Sequence, residues 1–285
     1  MNVTIGPIPV TLSDGSQGTI PRQTITLAPP VTPPTAALWS TTFASPAMLG
    51  APANEMQTFQ GLTPLPWSAP ALAIQCLGNP ANHRHSIGKA PDGTPCLVMS
   101  VLAGSGSDQA ALLIAPRAPL TVLHGAVELM LDPALDKVLK LDGVNNWTTL
   151  LEGKTGGTLP GSNWWGDRRI IAGIQRTSDG QFHYVMAVDN QANNPAIAKA
   201  VLYSSPINAS QVPVQYGKWI TAELQAKLSP SDGFARLVID GKEALKFQGP
   251  TMGQDNQGFN RLMLPNLYGI YPQVRYVRKL SLLAA

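Results

Sequence analysis

Trp219-Ile-Thr-Ala-Glu-Leu-Gln-Ala-Lys-Leu228 alternates apolar and polar residues along its whole length. The even positions from 220 to 228 are apolar, and the odd positions from 221 to 227 are polar. This period of two fits a β-strand with one buried face, and a helix with its period of 3.6 cannot produce it. The stretch therefore predicts a strand whose even-numbered side chains face a core.

The segments around this strand continue the same pattern. Ser229-Pro-Ser-Asp-Gly233 predicts a turn, 234–239 a second strand, and Asp240-Gly241 a tight hairpin turn into a third strand at 243–247. Short strands broken by turn residues, with no helical stretch between them, predict an all-β, two-sheet antiparallel sandwich. Further strands are expected at 95–103, 122–131, 169–176, 182–188, 197–203 and 274–283.

Composition excludes several classes of protein. Only 13% of the 285 residues are charged, about half the usual share, and Gly and Pro contribute 26 residues each. A net charge of +3 without a Lys/Arg block argues against nucleic acid as a partner. No apolar run approaches the roughly 18 residues of a membrane span, so no membrane partner is expected.

Residues 1–36 differ from the rest of the chain. They hold seven prolines and almost no charge, and Pro29-Pro-Val-Thr-Pro-Pro34 is typical of an extended polyproline spacer. The Val/Thr-rich segment Gln23–Leu27 is suited to adding one strand to a partner's sheet. We expect a proline-rich N-terminal arm at 1–36, either loose or docked on another chain, and one folded domain at 37–285.

The two cysteines, Cys76 and Cys96, are compatible with a disulfide or with two reduced thiols, and we favour reduced, buried thiols. The first residues lack both a basic segment and an apolar segment, so no secretory signal is visible. We therefore expect synthesis in a cytoplasm.

An ordered series of motifs marks the larger domain. Gly153-Lys-Thr-Gly-Gly-Thr-Leu-Pro-Gly161 is followed by Ile174-Gln-Arg176 with Asp179-Gly180, and then by Gly217-Lys-Trp219. Asp232-Gly233, Asp240-Gly241 and Leu267-Tyr-Gly-Ile-Tyr271 complete the series. Over about residues 38–285 this order resembles polysaccharide lyases with a concanavalin-like jelly-roll fold, the alginate and glucuronan lyases. The resemblance implies a jelly roll and a uronate-containing substrate.

Most positions that carry catalysis in the resembled family are substituted here. The resemblance places a loop lysine at Thr158, a Ser-x-Arg pair at Ile170 and Ala172, and a Tyr-x-Tyr pair at Tyr184 and Met186. β-Elimination needs a base, an acid and a group that neutralises the substrate carboxylate. A register offset by two would bring Arg168 or Arg169 near the strand. Even so, Thr, Ile, Ala and Met cannot supply the proton chemistry, so the resemblance implies that the fold is kept and that most of the catalytic set is lost.

Two adjacent tryptophans, Trp164 and Trp165, follow the Leu-Pro-Gly loop, and one of them is expected to be exposed for stacking on a sugar or a protein. Packing of both against the loop is the alternative. The resembled fold implies that Tyr268, Tyr271, Gln273 and Arg275, near the C-terminal strand, line one concave face with these tryptophans. The predicted carbohydrate contacts are Trp164, Trp165, Arg176, Tyr184, Tyr271 and Arg275.

No metal site or cofactor is predicted. His83-Arg-His85 has no carboxylate or third His nearby in sequence and is interpreted as a surface or loop pair, with a metal site or a contact to a ligand as the alternatives. Asp189-Asn-Gln-Ala-Asn-Asn194 offers oxygen ligands for calcium, but it lacks the alternation of an EF-hand loop and is typical of a turn. His124 and His183 lie within strand patterns and are read as structural.

Two functional hypotheses follow. The first is a non-catalytic structural or glycan-binding protein, specifically a bacteriophage virion component such as a capsid decoration or tail protein. It would be docked by residues 1–36, present in many copies or as a homo-oligomer, and localised to the virion. Pure scaffolding without sugar contact belongs to the same class, and a cytoplasmic or extracellular location is the alternative. The second hypothesis is a polysaccharide lyase with a rearranged site that uses Arg176, Tyr184, and His183 or His85.

Overall fold

The computed structural model describes residues 2–5, 8–11, 17–20, 23–26, 37–69, 71–102, 108–138, 147–155, 169–177, 179–189, 210–252, 258–268 and 272–283. Helical structure in this part of the chain is short. It consists of α1 (Leu135–Val138) and three 3₁₀ turns at Pro46–Met48, Pro66–Ser68 and Pro80–Asn82. None of the described helices is long and apolar enough to cross a membrane.

Strands make up most of the described chain. In chain order they are β1 (Asn2–Ile5), β2 (Ile8–Thr11), β3 (Gln17–Ile20), β4 (Gln23–Thr26), β5 (Ala37–Thr42), β6 (Met56–Thr58), β7 (Leu72–Leu77), β8 (His83–Lys89), β9 (Pro95–Val101), β10 (Gln109–Ile114), β11 (Val122–Leu131), β12 (Trp147–Thr155), β13 (Arg169–Arg176), β14 (Phe182–Asp189), β15 (Trp219–Lys227), β16 (Gly233–Ile239), β17 (Lys242–Gly249), β18 (Phe259–Tyr268) and β19 (Gln273–Leu283).

The chain divides into two compact units, Met1–Thr35 and Ala36–Ala285. In the first unit β1 pairs with β4, and β2 pairs with β3, all antiparallel. The segment Gln23–Leu27, which is predicted to add a strand to a partner's sheet, instead pairs through β4 with β1 of its own chain. A local partner satisfies the backbone groups at a small loop-closure cost. The proline spacer lies outside the described residues.

The second unit is a sandwich of two antiparallel sheets. One sheet has seven strands in the order β14-β13-β12-β18-β10-β7-β6. The other has eight strands, with β17-β16-β15-β11-β19-β9-β8 in sequence and β5 paired to β19. The predicted fold class is confirmed as an all-β jelly-roll sandwich. The predicted strand 197–203 lies outside the described residues.

The alternation that decided the fold is present in the structure. Ile220, Leu224 and Leu228 are at most 3% exposed and belong to the core between the sheets, whereas Thr221 and Glu223 on the opposite face are half-buried. The hairpin between β16 and β17 turns at Asp240-Gly241, whose φ values of 49° and 76° match the tight turn expected from the sequence. The core lies between the sheets, so the sides of both sheets that face away from it are free of that packing and can carry binding sites.

Candidate functional site

The side of the seven-stranded sheet that faces away from the eight-stranded sheet carries most of its polar residues. Side chains alternate along each strand, so pairing register identifies which residues share this side. We call it the outer face. It is defined by Gln75 of β7, Gln109 of β10, Trp147, Glu152 and Lys154 of β12, Arg169 and Gln175 of β13, and Arg261, Asn266 and Tyr268 of β18.

A chain of buried polar contacts crosses three strands of the outer face. Gln109 Nε2 donates to Asn266 Oδ1 at 2.9 Å, and Asn266 Nδ2 donates to Glu152 Oε2 at 2.6 Å. The other oxygen of Glu152 lies 3.4 Å from Lys154 Nζ and 3.9 Å from Arg169 Nη1. Glu152 is 2% exposed and Asn266 is fully buried. The carboxylate is therefore shielded from solvent and held by one amide and two cations.

Three cationic side chains lie side by side at one end of this network. Lys154 pairs in register with Arg169 on one neighbouring strand and with Arg261 on the other. We call these three residues the cationic row. Like charges directly opposite each other destabilise a sheet, so an arrangement of this kind is unfavourable for folding. Burial lowers the pKa of Lys154, and Glu152 partly opposes that shift.

An aromatic pair lies on the same face. The rings of Trp147 and Tyr268 have centroids 5.6 Å apart and are tilted by 40°, and both side chains are half-buried. Trp147 lies opposite Gln175 in register, and Tyr268 lies opposite Gln109. The outer face therefore combines cations for carboxylates, amides for hydroxyl groups and aromatic rings for the apolar faces of sugars.

Arg176 lines a cleft of roughly 480 Å³ at the β14 edge of this sheet. His183, which lines the same cleft, lies opposite Gln175 in register and so points to the side of the outer face. The Arg176 guanidinium lies 2.9 Å from Asp136 Oδ1, donates to Gly180 O at 2.9 Å and stacks over the Phe182 ring at 4.1 Å. These contacts fix its orientation and occupy several of its donors. Arg176 and His183, both predicted site residues, line this one cavity.

His183 is held on both sides of its ring. Nδ1 contacts Ser210 O at 2.9 Å, and Nε2 lies 2.9 Å from Asp179 Oδ2. The Ser210 carbonyl and the Asp179 carboxylate raise the pKa of His183. Hydrogen bonds from Thr177, from the backbone of Gln181 and from His183 lower the pKa of Asp179 to about 2. An imidazole that donates through both nitrogens orders a loop and is poorly placed to accept a proton from a substrate.

Tyr184 and Arg275 do not fit the prediction that they contact a sugar. Both are fully buried, because Tyr184 points toward the opposite sheet and Arg275 reaches toward the same interior from β19. Arg275 Nη2 lies 3.4 Å from Thr148 Oγ1 and from Thr149 O. Burial raises the pKa of Tyr184 far above its ordinary value and lowers that of Arg275 to about 10. A sugar at the surface reaches neither side chain.

His85 lies in the other sheet, next to Cys76. Its Nε2 is 3.3 Å from Cys76 Sγ, and burial together with His83 lowers the pKa of His85 to about 4. Because Cys76 is on β7, five strand positions from β14, His85 is roughly 24 Å from the Arg176 cleft at about 4.8 Å per strand. The four residues of the lyase hypothesis are therefore not assembled into one site.

Several predicted positions lie outside the described residues. They include Trp164, Trp165, Tyr271 and the Asn-rich segment after Asp189, so the predicted tryptophan contacts and the calcium alternative stay untested. Cys76 and Cys96 are both free thiols, as the sequence analysis favours, but only Cys96 is buried, and Cys76 at the end of β7 is partly exposed.

Sequence reasoning missed most of the outer face. Tyr268 and Gln273 are predicted to share one concave face, but Tyr268 lies on the outer face and Gln273 is buried against Thr148. Glu152, Asn266, Gln109 and Trp147 are not predicted by any sequence motif. One signal was present: Glu152 and Lys154 are charged residues two positions apart on a strand, which places both on one side. The partners of Glu152 were invisible because Asn266 is 114 positions away along the chain.

No protein-family model and no curated protein matches the sequence. Solved structures do match. Alginate lyase Aly36B, determined as a variant in complex with an alginate trisaccharide, is 14% identical with a TM-score of 0.46 over 73% of this chain and 87% of that one. Alginate lyase vAL-1 from Chlorella virus is 10% identical with a TM-score of 0.45 over 75% and 93%. An endo-1,3-β-glucanase from Streptomyces sioyaensis is 14% identical with a TM-score of 0.46 over 91% and 100%.

Each of these identities is 14% or less and each TM-score is below 0.5. Likeness at this level concerns the arrangement of strands and indicates nothing about the activity or ligand of this chain. Function has to be argued from the residues on the sheets.

Proposed function

We propose that the protein binds an acidic polysaccharide, rich in uronate carboxylates, on the outer face of its seven-stranded sheet and does not cleave it. The observation that carries the proposal is the cationic row of Arg169, Lys154 and Arg261 on three neighbouring strands. A row of cations is complementary to the carboxylates of a polyanion. Arg169 and Arg261 are half-buried and reach solvent, whereas Lys154 between them is 7% exposed.

The remaining chemistry of the outer face suits a sugar chain. The Trp147–Tyr268 pair provides apolar surface for the C–H face of a pyranose ring. Gln75 and Gln175, both half-buried, supply amide groups that donate to and accept from hydroxyl groups. Carboxylates, hydroxyls and ring faces are the three features that a uronate presents at every residue of the chain.

The absence of cleavage follows from how the nominated catalytic residues are distributed. Elimination requires a base, an acid and a carboxylate-neutralising group around one sugar. Tyr184 is enclosed between the sheets, His85 is on the other sheet, and Arg176 and His183 are held by neighbouring carboxylates. Because these four residues do not surround one sugar, their positions favour binding over cleavage of the polysaccharide.

A lyase remains the second candidate, and one observation favours it. Burial lowers the pKa of Lys154, and an amine with a lowered pKa is better suited to accept a proton near neutral pH. Arg169 and Arg261 flank Lys154 and are placed to hold the carboxylate of the same sugar. In this alternative, Lys154 abstracts the proton alpha to the uronate carboxyl.

One titration separates the two candidates. Oligouronates are titrated into the protein by calorimetry while ultraviolet absorbance follows unsaturated product, with uncharged oligosaccharides of matched length as ligand control. We expect binding of the uronates alone and a flat absorbance trace. Steady product formation that Lys154→Gln abolishes would establish the lyase. No heat with any uronate would contradict both candidates.

Variants locate the binding surface. Arg261→Gln is expected to weaken uronate binding by about 10- to 100-fold, the range for one charge-assisted hydrogen bond. Arg278→Gln is the matched control, because Arg278 lies on the eight-stranded sheet beside Glu128. Equal losses in both variants would show that binding follows net charge and not the outer face.

We also propose, as the specific setting, that the protein is a bacteriophage virion component anchored by residues 1–36. Two-stranded sheets are marginal alone in water, and Met1–Thr35 contains two of them. Such a unit gains stability when its strands join a partner's sheet. Many copies on one particle would strengthen weak contacts with a repetitive polysaccharide.

A further inference from the structure

Three metal-ligating side chains converge at the opposite edge of the sandwich from the Arg176 cleft. Cys76 belongs to β7 of the seven-stranded sheet, and His83 and His85 belong to β8 of the eight-stranded sheet. One ligand atom from each residue lies within 4.8 Å of the other two. The cluster therefore joins the two sheets through side chains with no covalent link between them.

His83 has an unsatisfied nitrogen at this cluster. The side chain is 8% exposed, and Nε2 is 2.9 Å from Leu77 O, to which it donates. Nδ1 then carries a lone pair, and it is buried without a hydrogen-bond partner in the described part of the chain. A carbonyl that fixes one imidazole nitrogen and leaves the other as an acceptor is the arrangement that orients metal-binding histidines.

His85 and Cys76 already face each other. Nε2 of His85 is 3.3 Å from Cys76 Sγ, and the backbone N–H of Ser100 donates to Nδ1 at 3.3 Å. The His85 proton is therefore on Nε2. For Nε2 to bind a metal, this proton must move to Nδ1 and the long Ser100 contact must open. Binding then releases one proton, that of the Cys76 thiol.

We propose that Cys76, His83 and His85 form a binding site for a borderline divalent cation of the Zn²⁺ class. One thiolate and two neutral imidazoles are ligands that Zn²⁺ prefers, and the fourth position is filled by water or an external ligand. The cation clips β7 to β8 and so holds the two sheets together at this edge. The site is separate from the outer face, because all three side chains point between the sheets.

Cobalt serves as the spectroscopic probe. Addition of Co²⁺ to the reduced protein is expected to produce a near-ultraviolet thiolate-to-cobalt charge-transfer band that saturates at one equivalent and that Zn²⁺ displaces. Cys76→Ala should abolish the band, whereas Cys96→Ala, the matched thiol control in a separate apolar cluster, should keep it. No band in the wild type, or a band that survives Cys76→Ala, would overturn the proposal.

A second variant and a wild-type measurement protect the test against misfolding. His83→Gln is expected to weaken Zn²⁺ binding by at least about 100-fold, beyond the 10- to 100-fold typical of residues that only orient a ligand. In the wild type, Zn²⁺ should slow alkylation of Cys76, which is half-exposed, as followed by mass spectrometry. Unchanged alkylation at saturating Zn²⁺ would also overturn the proposal.

Discussion

Glu152 is the residue around which the outer face is organised. It accepts from Asn266 at 2.6 Å and has Lys154 Nζ at 3.4 Å, yet it is 2% exposed. A buried carboxylate needs compensating partners, and here they come from three strands, through Asn266, Lys154 and Arg169. The same carboxylate supports Lys154 between two arginines, and it offsets part of the repulsion among the three cations.

The pH dependence of stability tests the ring contacts of His183. The Ser210 carbonyl and Asp179 raise the pKa of folded His183, so its stabilisation is complete below the unfolded value of about 6.5 and is lost as pH rises through the folded pKa. We expect His183→Gln to lower the free energy of unfolding by about 0.5 kcal/mol at pH 6, and by less at pH 9.

Denaturant unfolding of the wild type and the variant at both pH values provides the measurement. Asp179, with a pKa of about 2, stays ionised throughout this range and does not complicate it. A difference that is the same at pH 6 and pH 9 would mean that folded His183 is not protonated preferentially.

At the scale of elements, β12 connects the core to the outer face. Its register shifts between Thr149 and Leu151 against β13, and both Leu150 and Leu151 are fully buried. This register shift determines which of the later residues of β12 point outward, so the orientation of Glu152 and Lys154 toward the outer face depends on it. Gly173 faces this irregularity, and a Cβ built there would lie 2.5 Å from Thr148 O.

Gly173→Ala is therefore expected to be more destabilising than Gly241→Ala. The first change forces backbone atoms of two paired strands apart, whereas a Cβ at Gly241 meets open space and carries only the strain of φ at 76°. That strain costs about 1–2 kcal/mol. The midpoints of urea unfolding of the two variants, compared at an unchanged m-value, measure the difference in stability. Equal losses of stability would show that β12 moves to accommodate the methyl group.

Strand alternation can be predicted from sequence because the period of the side chains is a local property. The burial of Ile220 and Leu224 follows from their own segment without any information about distant residues. The same period also separates His183 from Tyr184, since neighbours on a strand point to opposite sides. The lyase hypothesis assigns His183 and Tyr184 to one catalytic site, which this alternation does not allow. The contact between Gln109 and Asn266 spans 157 positions and could not be read from any local pattern.

At the scale of the molecule, the two units differ in how they are stabilised. The main core cluster runs from Trp39 to Leu282 and lies wholly within Ala36–Ala285. The Met1–Thr35 unit contains only two-stranded sheets among its described strands. Folding of the sandwich is therefore expected to be independent of the N-terminal unit, and assembly on a partner is expected to depend on it.

Deletion of residues 1–35 tests this division. Since β5 begins at Ala37 and pairs with β19, the truncated chain keeps every strand of the sandwich. We expect cooperative thermal unfolding within about 2 °C of the full chain, and loss of incorporation into virus particles. A truncated chain that does not fold would contradict the independence of the sandwich. Unimpaired incorporation would contradict the anchoring role.

Backbone amide chemical shifts, recorded by NMR with and without an oligouronate, test directly whether the outer face of the seven-stranded sheet binds a uronate chain. We expect the largest shifts on β12, β13 and β18, around Lys154 and Trp147. Shifts confined to the Arg176 cleft or to the eight-stranded sheet, or no shifts at saturating ligand, would contradict binding on the outer face.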